Sequence, residues 1–435
     1  MKKILLFFIF FLPFQFALNP ATGIDLSIAR LLIVLTFLIW IFNSLSKKKL
    51  SIKNNVITWG LIFFLALSFL SIIKAEEVSW ATRKFLVFVS IFPLYFLITY
   101  YFKKVDFSKM SKIILFSSTI TACFGILQFL SQFIWEPRTI FVFWSKYLAR
   151  FFLGSAFSQS VITHPSWWVN VGGKTFLRAT SLFPDPHMFS FFLGMTLPLF
   201  IPLILKKRKV LRLYGLTALW PYGFMALINL SALLLTFSRG GYLGLTVSGL
   251  WLLVLGLRHF NKKQKILLAF VSCVLFLGIL FVPIVQNRLI SIFDLSEGSI
   301  AGRIVIWQQA FSIWLKNFWL GVGVGNYSYY LNPLYGYRLP VYAHNTYLDI
   351  GIEMGIFALL AWISIFVYAI YKLSRVKSQQ SKVQSIALSA SLMYFLAHSF
   401  FDTPIYSPRI LPFLMIILAM SSILISNNKC LLSDK

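Results

Sequence analysis

Acidic residues are scarce in this chain, and so is charge of any kind. Twelve Asp and Glu stand against 40 Lys and Arg, and only 12% of the residues are charged. A soluble globule of 435 residues needs a charged skin, and this composition cannot supply one. Cysteine is nearly absent as well. Cys123, Cys273 and Cys430 make no framework and the first two lie inside apolar runs, so neither disulfides nor thiolate metal sites are expected. Polar groups are also missing from the middle of those runs, where a secondary transporter would place broken helices and ion ligands.

What the chain has in abundance is apolar surface: 59% of its residues are hydrophobic and 18% aromatic. Apolar runs of about 20 residues recur, the length a helix needs to cross a bilayer. Twelve spans are expected, at roughly 4–18, 26–45, 56–73, 82–102, 113–134, 187–205, 214–237, 241–257, 266–285, 344–371, 384–401 and 409–426. The expected class is therefore all-α, one integral membrane domain over residues 1–435. The first run follows Lys2-Lys3 and is read as an uncleaved helix. A signal peptide cut near Ala17 is the alternative, and it leaves the later topology unchanged.

The formal charge of +28 would suggest nucleic acid in a soluble protein, but its distribution gives another explanation. With the N-terminus inside, the inner loops collect 25 of the 40 basic residues and only two acids, Asp106 and Asp434. This is the positive-inside signature of a multi-pass membrane protein with both termini cytoplasmic, surrounded by lipid and with no nucleic-acid partner. Two long connections, 135–186 and 286–343, then face outward, together with the short turns at 238–241 and 401–409. The informative polar residues are all on that side, which favours an enzyme at the outer leaflet over a carrier.

The first outer loop is aromatic and basic and reads as an interfacial segment, except at its end. There Arg178 precedes Phe183-Pro184-Asp185-Pro186-His187, a proline-stiffened start to the next helix. Arg239 sits where one span ends and the next begins, between Ser238 and Gly240-Gly241. The two glycines would let a ligand approach the backbone, and the N-terminus of the following helix favours a diphosphate. In the second outer loop, residues about 303–318 read as an amphipathic surface helix that turns Arg303 toward its apolar side, where a charge needs a partner or ligand. Gly321-Val322-Gly323-Val324-Gly325 follows no strand and reads as a flexible, close-packing turn rather than a nucleotide loop.

At Ala343-His344-Asn345-Thr346-Tyr347 the longest polar loop drops back into a membrane helix. With His344 placed on the helix, Leu348, Gly351 and Gly355 form a stripe below it, a groove for a lipid chain or a neighbouring helix. Asp349 and Glu353 lie on the other side, spaced to pair with an arginine. His398 and Asp402, four apart, read as an intrahelical hydrogen bond in preference to two metal ligands.

Taken in order, Arg178, Ser-Arg-Gly-Gly at 238–241, Gly302-Arg303 with Trp307, Gly-Val-Gly-x-Gly-Asn at 321–326, and His-Asn-x-Tyr-Leu followed by Glu-Met-Gly at 353–355 resemble the O-antigen ligase and O-antigen polymerase superfamily of bacterial membrane glycosyltransferases. These motifs cover about 178–365. The resemblance implies a GT-C-type fold in the cytoplasmic membrane and an outward-facing site. It also implies metal-independent, inverting transfer from an undecaprenyl-diphosphate-linked glycan to a glycan, lipid A-core or protein acceptor, without cofactor. Arg178, Arg239 and Arg303 would hold the diphosphate and His344 would act at the acceptor hydroxyl, with Ser238, Gly240, Gly241, Asn345, Tyr347 and His187 in support. Many members resemble Gly-Thr-Phe-x-Asn-Pro-Asn where this chain has residues 182–187, a departure beside Arg178 that bears on acceptor class.

The residue types suit that chemistry. A sugar leaving on diphosphate needs its negative charge stabilised more than it needs a proton, which arginine forks can do. A hydroxyl is a poor nucleophile, and a histidine base suits it. Two other classes stay open on the sequence: a transporter or flippase of lipid-linked glycan, and a structural partner in envelope assembly.

Overall fold

Backbone surrounded by hydrocarbon must satisfy its own hydrogen bonds, and among the described residues the apolar runs accordingly form helices. The computed structural model describes the chain except residues 22–23, 49–51, 164–165, 207–219, 260–297, 335, 337–340, 377 and 427–435. α1 (Lys2–Phe11) leads into an antiparallel hairpin of β1 (Ala17–Ala21) and β2 (Ile24–Ser27). The helix expected at 4–18 is therefore shorter, because Pro13 and Pro20 each remove a backbone donor. Next come α2 (Ile28–Ser46), α3 (Val56–Ser71), α4 (Val78–Ile91), α5 (Pro93–Tyr101) and α6 (Phe107–Ser131).

The stretch at 135–186, expected as an interfacial loop, is largely structured. It holds α7 (Pro137–Phe143), a π-helical turn at Trp144–Ala149, α8 (Arg150–Leu153) and α9 (Ser155–Thr163). A hairpin of β3 (Trp168–Val171) and β4 (Lys174–Leu177) follows. Its turn is Gly172-Gly173, both at positive φ, a pairing that suits the twist of a two-residue hairpin. α10 (Pro186–Thr196), α11 (Phe200–Lys206), α12 (Trp220–Leu234) and α13 (Arg239–His259) come next. The chain is completed by α14 (Gly298–Lys316), α15 (Tyr327–Leu331), α16 (Thr346–Ser374), α17 (Gln379–His398) and α18 (Ile410–Ser426).

Among the described residues, 7 helical segments are long and apolar enough to cross a membrane: Ile28–Ser46, Val56–Lys74, Val78–Tyr101, Lys104–Ser131, Pro186–Leu205, Arg239–Arg258 and Thr346–Ser374. Pro221–Leu234 and Ile410–Ser426 are apolar but shorter, and the span expected at 266–285 lies outside the described residues. The count of twelve is thus not reached among them. α17 is instructive. It packs against α10, α13, α16 and α18, and its Ser381, Ser385, Ser389 and Ser391 are all fully buried. A helix enclosed by other helices meets no lipid, so small residues that permit close packing serve it better than hydropathy.

That close packing centres on Tyr394 of α17. A Cβ added to Gly194 of α10, or to Gly244 of α13, would meet its ring, and Tyr394 Oη is 2.9 Å from both Oγ and the carbonyl oxygen of Ser190. The two ends of the bundle also differ. Lys2 Nζ pairs with Asp106 Oδ2 at 2.8 Å near the start of α6. Gln128 and Gln132, at the other end of that 25-residue helix, hold the backbone of Leu177, Thr180 and Ser181. At 1.5 Å per residue the Arg178 segment lies roughly 30 Å from the Lys2 end.

Gly194→Ala would drive a methyl group into the Tyr394 ring. Overpacking at a buried helix contact costs about 1–3 kcal/mol, so a thermal melt of the detergent-solubilised variant is expected to fall by several degrees. An unchanged melting temperature would mean that α10 and α17 are not packed this way.

Candidate functional site

The site forms where four segments meet: the start of α10, the start of α13, the side of α14, and the paired turns that precede α16 and follow α17. Each segment has a local reason to stop where it does. Asp185 caps α10, its Oδ1 accepting from His187 N at 2.8 Å and Met188 N at 2.9 Å. Ser238 caps α13, accepting the Gly241 N–H at 3.2 Å. Asn345 caps α16, its Oδ1 accepting from Tyr347 N at 3.0 Å and Leu348 N at 3.2 Å. Such caps satisfy orphan N–H groups that water would otherwise have to reach.

His344 lies just outside α16, not on it, with φ of 50°. The left-handed region costs an L-residue about 1–2 kcal/mol, so its neighbours must hold it there. Trp307 Nε1 donates to the Ala343 carbonyl at 2.8 Å, the Ala343 N–H donates to Asp349 Oδ1 at 2.8 Å, and Thr346 Oγ1 donates to the Asp402 carbonyl at 2.7 Å. The stripe expected below His344 is consequently no open groove. Gly351 packs against the Trp314 ring, and Gly355, at φ of 78°, packs against the Trp319 carbonyl.

Asp402 is the centre of the cluster, a role that its spacing from His398 does not suggest. Its Oδ1 is 3.6 Å from His344 Nδ1 and its Oδ2 is 3.6 Å from His187 Nδ1. α17 ends at His398, so Asp402 lies beyond the helix and the expected intrahelical bond to His398 does not form. His398 instead has Nε2 3.2 Å from Ser238 Oγ, and its ring stacks on Phe191 at 3.7 Å. Burial acts to raise the Asp402 pKa. His187, His344 and Arg303 more than offset it and hold the carboxyl well below its usual range. The contact with Asp402 raises the His344 pKa above its ordinary 6.5, against the opposing pulls of burial and Arg303.

The proton positions follow from what each group can do. Both terminal nitrogens of Arg178 lie 3.5 Å from His187 Nε2, and a guanidinium only donates. His187 therefore accepts through Nε2 and carries its proton on Nδ1, 2.9 Å from Ser238 Oγ. Ser238 directs its own hydroxyl proton toward His398 Nε2.

Arg178 is buried and committed to the protein, with Nε donating to the Thr236 carbonyl at 2.7 Å. Arg239 is also buried, at the first turn of α13. Arg303 is partly buried on α14, close enough to feel both the Asp402 carboxylate and the like charge of Arg239; burial is the main cause that lowers its pKa. The glycines at 240 and 241 do not open a path to a ligand. A Cβ at Gly240 would strike the His398 ring and one at Gly241 would strike Ser190 Oγ, so the room they leave is filled by protein. Tyr347 anchors α16 to α17 through the Leu396 carbonyl at 2.8 Å. Of the three imidazoles gathered here, His344 alone is open, with 47% of its side chain exposed.

Asp349 and Glu353 do not pair with an arginine. Asp349 Oδ2 accepts from the Thr403 hydroxyl and Glu353 Oε2 from the Tyr406 hydroxyl. Lys84 of α4 supplies the nearby positive charge. It is buried, bonds the Tyr342 hydroxyl, and lies 4.0 Å from the Tyr406 ring centre and 4.8 Å from that of Tyr342. Its place beside Arg83 ahead of the apolar part of α4 gives no sign of burial. The glycine-rich turn at 321–325 is close-packed, as expected, and rigidly placed: Gly321, Gly323 and Gly325 all have positive φ and lie against α16, Ala75 and Lys84 respectively.

Two comparisons bear on this geometry. Residues 224–363 match the family model described as O-antigen ligase, a stretch that contains Arg239, Arg303 and His344 and leaves out Arg178 and Asp402. The chain is also similar to the Teichuronic acid biosynthesis protein TuaE of Bacillus subtilis (strain 168), 25% identical over 237 residues, which are 51% of this chain and 47% of the relative. The chain thus spans about half the length of that curated relative. The family match runs through Arg239, Arg303 and His344, so over residues 224–363 the chain is similar to the O-antigen ligase family.

Proposed function

We propose that this protein transfers a glycan from a polyprenyl-diphosphate donor to an acceptor hydroxyl at the outer face of the cytoplasmic membrane. The observation that carries the reading is the His344–Asp402 contact at 3.6 Å, with its imidazole open and Arg303 close enough to act on both. A carboxylate on Nδ1 orients the ring and leaves Nε2 to take the acceptor proton, while the positive charge that forms is met by Asp402. Arg239 and Arg303 stabilise the departing diphosphate. Arg178, engaged with Thr236 and His187, holds the shape of the cradle. Inversion follows if the activated hydroxyl attacks the anomeric carbon once, opposite the diphosphate. The outward orientation is supported by the basic inner loops and by the distance of the site from the Lys2–Asp106 end.

Purified protein given a radiolabelled polyprenyl-diphosphate glycan and separate glycan, lipid and peptide acceptors tests this directly. Transfer that releases polyprenyl diphosphate is expected, and the size distribution of product distinguishes repeated chain growth from a single ligation. Passage of the intact lipid-linked glycan across a liposome membrane, with its diphosphate bond unbroken, would instead identify a carrier.

His344→Ala is expected to abolish transfer with the melting profile retained, since the side chain is half exposed; full transfer would reduce the residue to an anchor. Arg239→Lys keeps the charge but loses the fork, and a fall in turnover of about 100-fold is expected in the same assay. Wild-type turnover at matched protein would rule out diphosphate contact. The base form of His344 is the neutral one, so the rate should rise with pH through a value above 6.5. Asp402→Asn removes the main cause of that elevation, and the acid limb should move to lower pH as turnover drops. An unmoved limb would exclude His344 as the titrating base.

A further inference from the structure

The most heavily built part of the molecule near the site is not the arginine cradle but the polar layer behind the His344–Asp402 pair. Asp349 and Glu353 are one helical turn apart on α16, and both are buried. Asp349 bonds both turns that carry the pair, and Glu353 bonds the second of them, whose Tyr406 ring meets the first. In the upper tier, Asp349 accepts the Ala343 N–H through Oδ1 at 2.8 Å and the Thr403 hydroxyl through Oδ2. Ala343 immediately precedes His344, and Thr403 immediately follows Asp402. In the lower tier, Glu353 holds the Tyr406 hydroxyl, and the Tyr406 ring stacks on Tyr342 at 5.9 Å. Lys84 binds the Tyr342 hydroxyl and lies over both rings, which closes the tier from the α4 side.

We infer that Asp349 and Glu353 act as a two-tier clamp whose task is to fix the spacing of His344 and Asp402. The inference rests on the glycosyltransfer reading for its catalytic consequence, but the clamp itself is a claim about geometry. Three features favour a positioning role over simple core filling. Two acids and a lysine are put into an apolar interior that has few of either, at a desolvation cost that hydrophobic residues would avoid. Both hydrogen bonds named for Asp349 run to residues next to His344 or Asp402, and Glu353 holds Tyr406 of the same turn as well as the backbone of Gly325 and Tyr327. Finally, His344 is held in a left-handed conformation that needs external constraint. Both acids are buried behind the turns and closed off from solvent, so they are positioning residues rather than catalytic ones. Misplacement by about 1 Å of a group that must meet a substrate costs up to about 100-fold in rate, which is the scale at which such a clamp matters.

The ionisable groups facing His344 are Asp402 from the turn after α17, Arg303 from α14 and Asp349 from α16, with His187 of α10 acting through Asp402. Thr403→Val keeps the shape of the side chain and removes the hydroxyl that Asp349 holds; Thr403→Ser returns it. Tyr406→Phe does the same for Glu353. With the purified full-length protein and a polyprenyl-diphosphate glycan, Thr403→Val is expected to lower kcat about tenfold with the donor KM within about twofold. Thr403→Ser should restore it, and Thr403→Val combined with Tyr406→Phe should cost more than either alone.

A second measurement needs no substrate. The pH dependence of His344 carbethoxylation by diethyl pyrocarbonate, read by mass spectrometry, reports the titration of that imidazole. It should shift toward 6.5 in Thr403→Val and return in Thr403→Ser. Wild-type kcat and titration in Thr403→Val, or equal impairment in the Val and Ser variants, would overturn the clamp. Should the wild-type protein transfer no glycan, the glycosyltransfer reading falls instead, while the titration shift still decides the geometry.

Discussion

One carboxylate holds this site together. In an interior with so few acids, Asp402 can stay ionised only if positive or donating groups are brought to it, and it draws them from separate parts of the chain: His187 from α10, His344 from the turn before α16, and Arg303 from α14. The dependence is mutual. Arg239 and Arg303 repel each other, and a cluster of guanidiniums without a counter-charge would not assemble in an apolar surrounding. The anion therefore fixes where the cations can be, before any diphosphate arrives.

The clustered side chains are mounted on or beside capped helix ends. Asp185, Ser238 and Asn345 each close an N-terminus, and the arginine or histidine in question sits within a few residues of the cap. Positions of this kind are precise because helix, cap and packed turn constrain one another. They also explain the division of exposure. His344 is the most exposed of the clustered imidazoles, His187 is partly exposed and His398 is buried, as are Arg178 and Arg239.

Much of the class and some of the site were legible in the sequence. Helical content, membrane character and the convergence of Arg178, Arg239, Arg303 and His344 follow from apolar run length, from charge asymmetry and from a resemblance carried by short motifs. What stayed hidden was hidden for physical reasons. Asp402 and Lys84 act through partners 58 to 258 residues away, and a hydropathy profile records neither distance nor pairing. α17 defeats a hydropathy argument because a helix wrapped in protein is selected for small side chains. Gly240 and Gly241 pointed to ligand approach, since the sequence cannot say whether the room a glycine leaves is filled by a substrate or by His398 and Ser190. Placing His344 on a helix face misjudges its neighbours by a small margin: Asn345 is the cap, and His344 lies outside the helix.

The break at Gly355 has a further implication. There α16 leaves helical geometry, and the groups freed are taken up from outside: the Ile356 N–H donates to the Phe318 carbonyl at 2.9 Å, and the Ile352 carbonyl accepts from Val322 N at 2.7 Å. In hydrocarbon each unmet peptide group costs several kcal/mol. Thr346–Ser374 is therefore not self-sufficient as a membrane segment. Its bent form depends on the segment from Phe318 to Val322, so the membrane helix and the connection ahead of it are one structural unit.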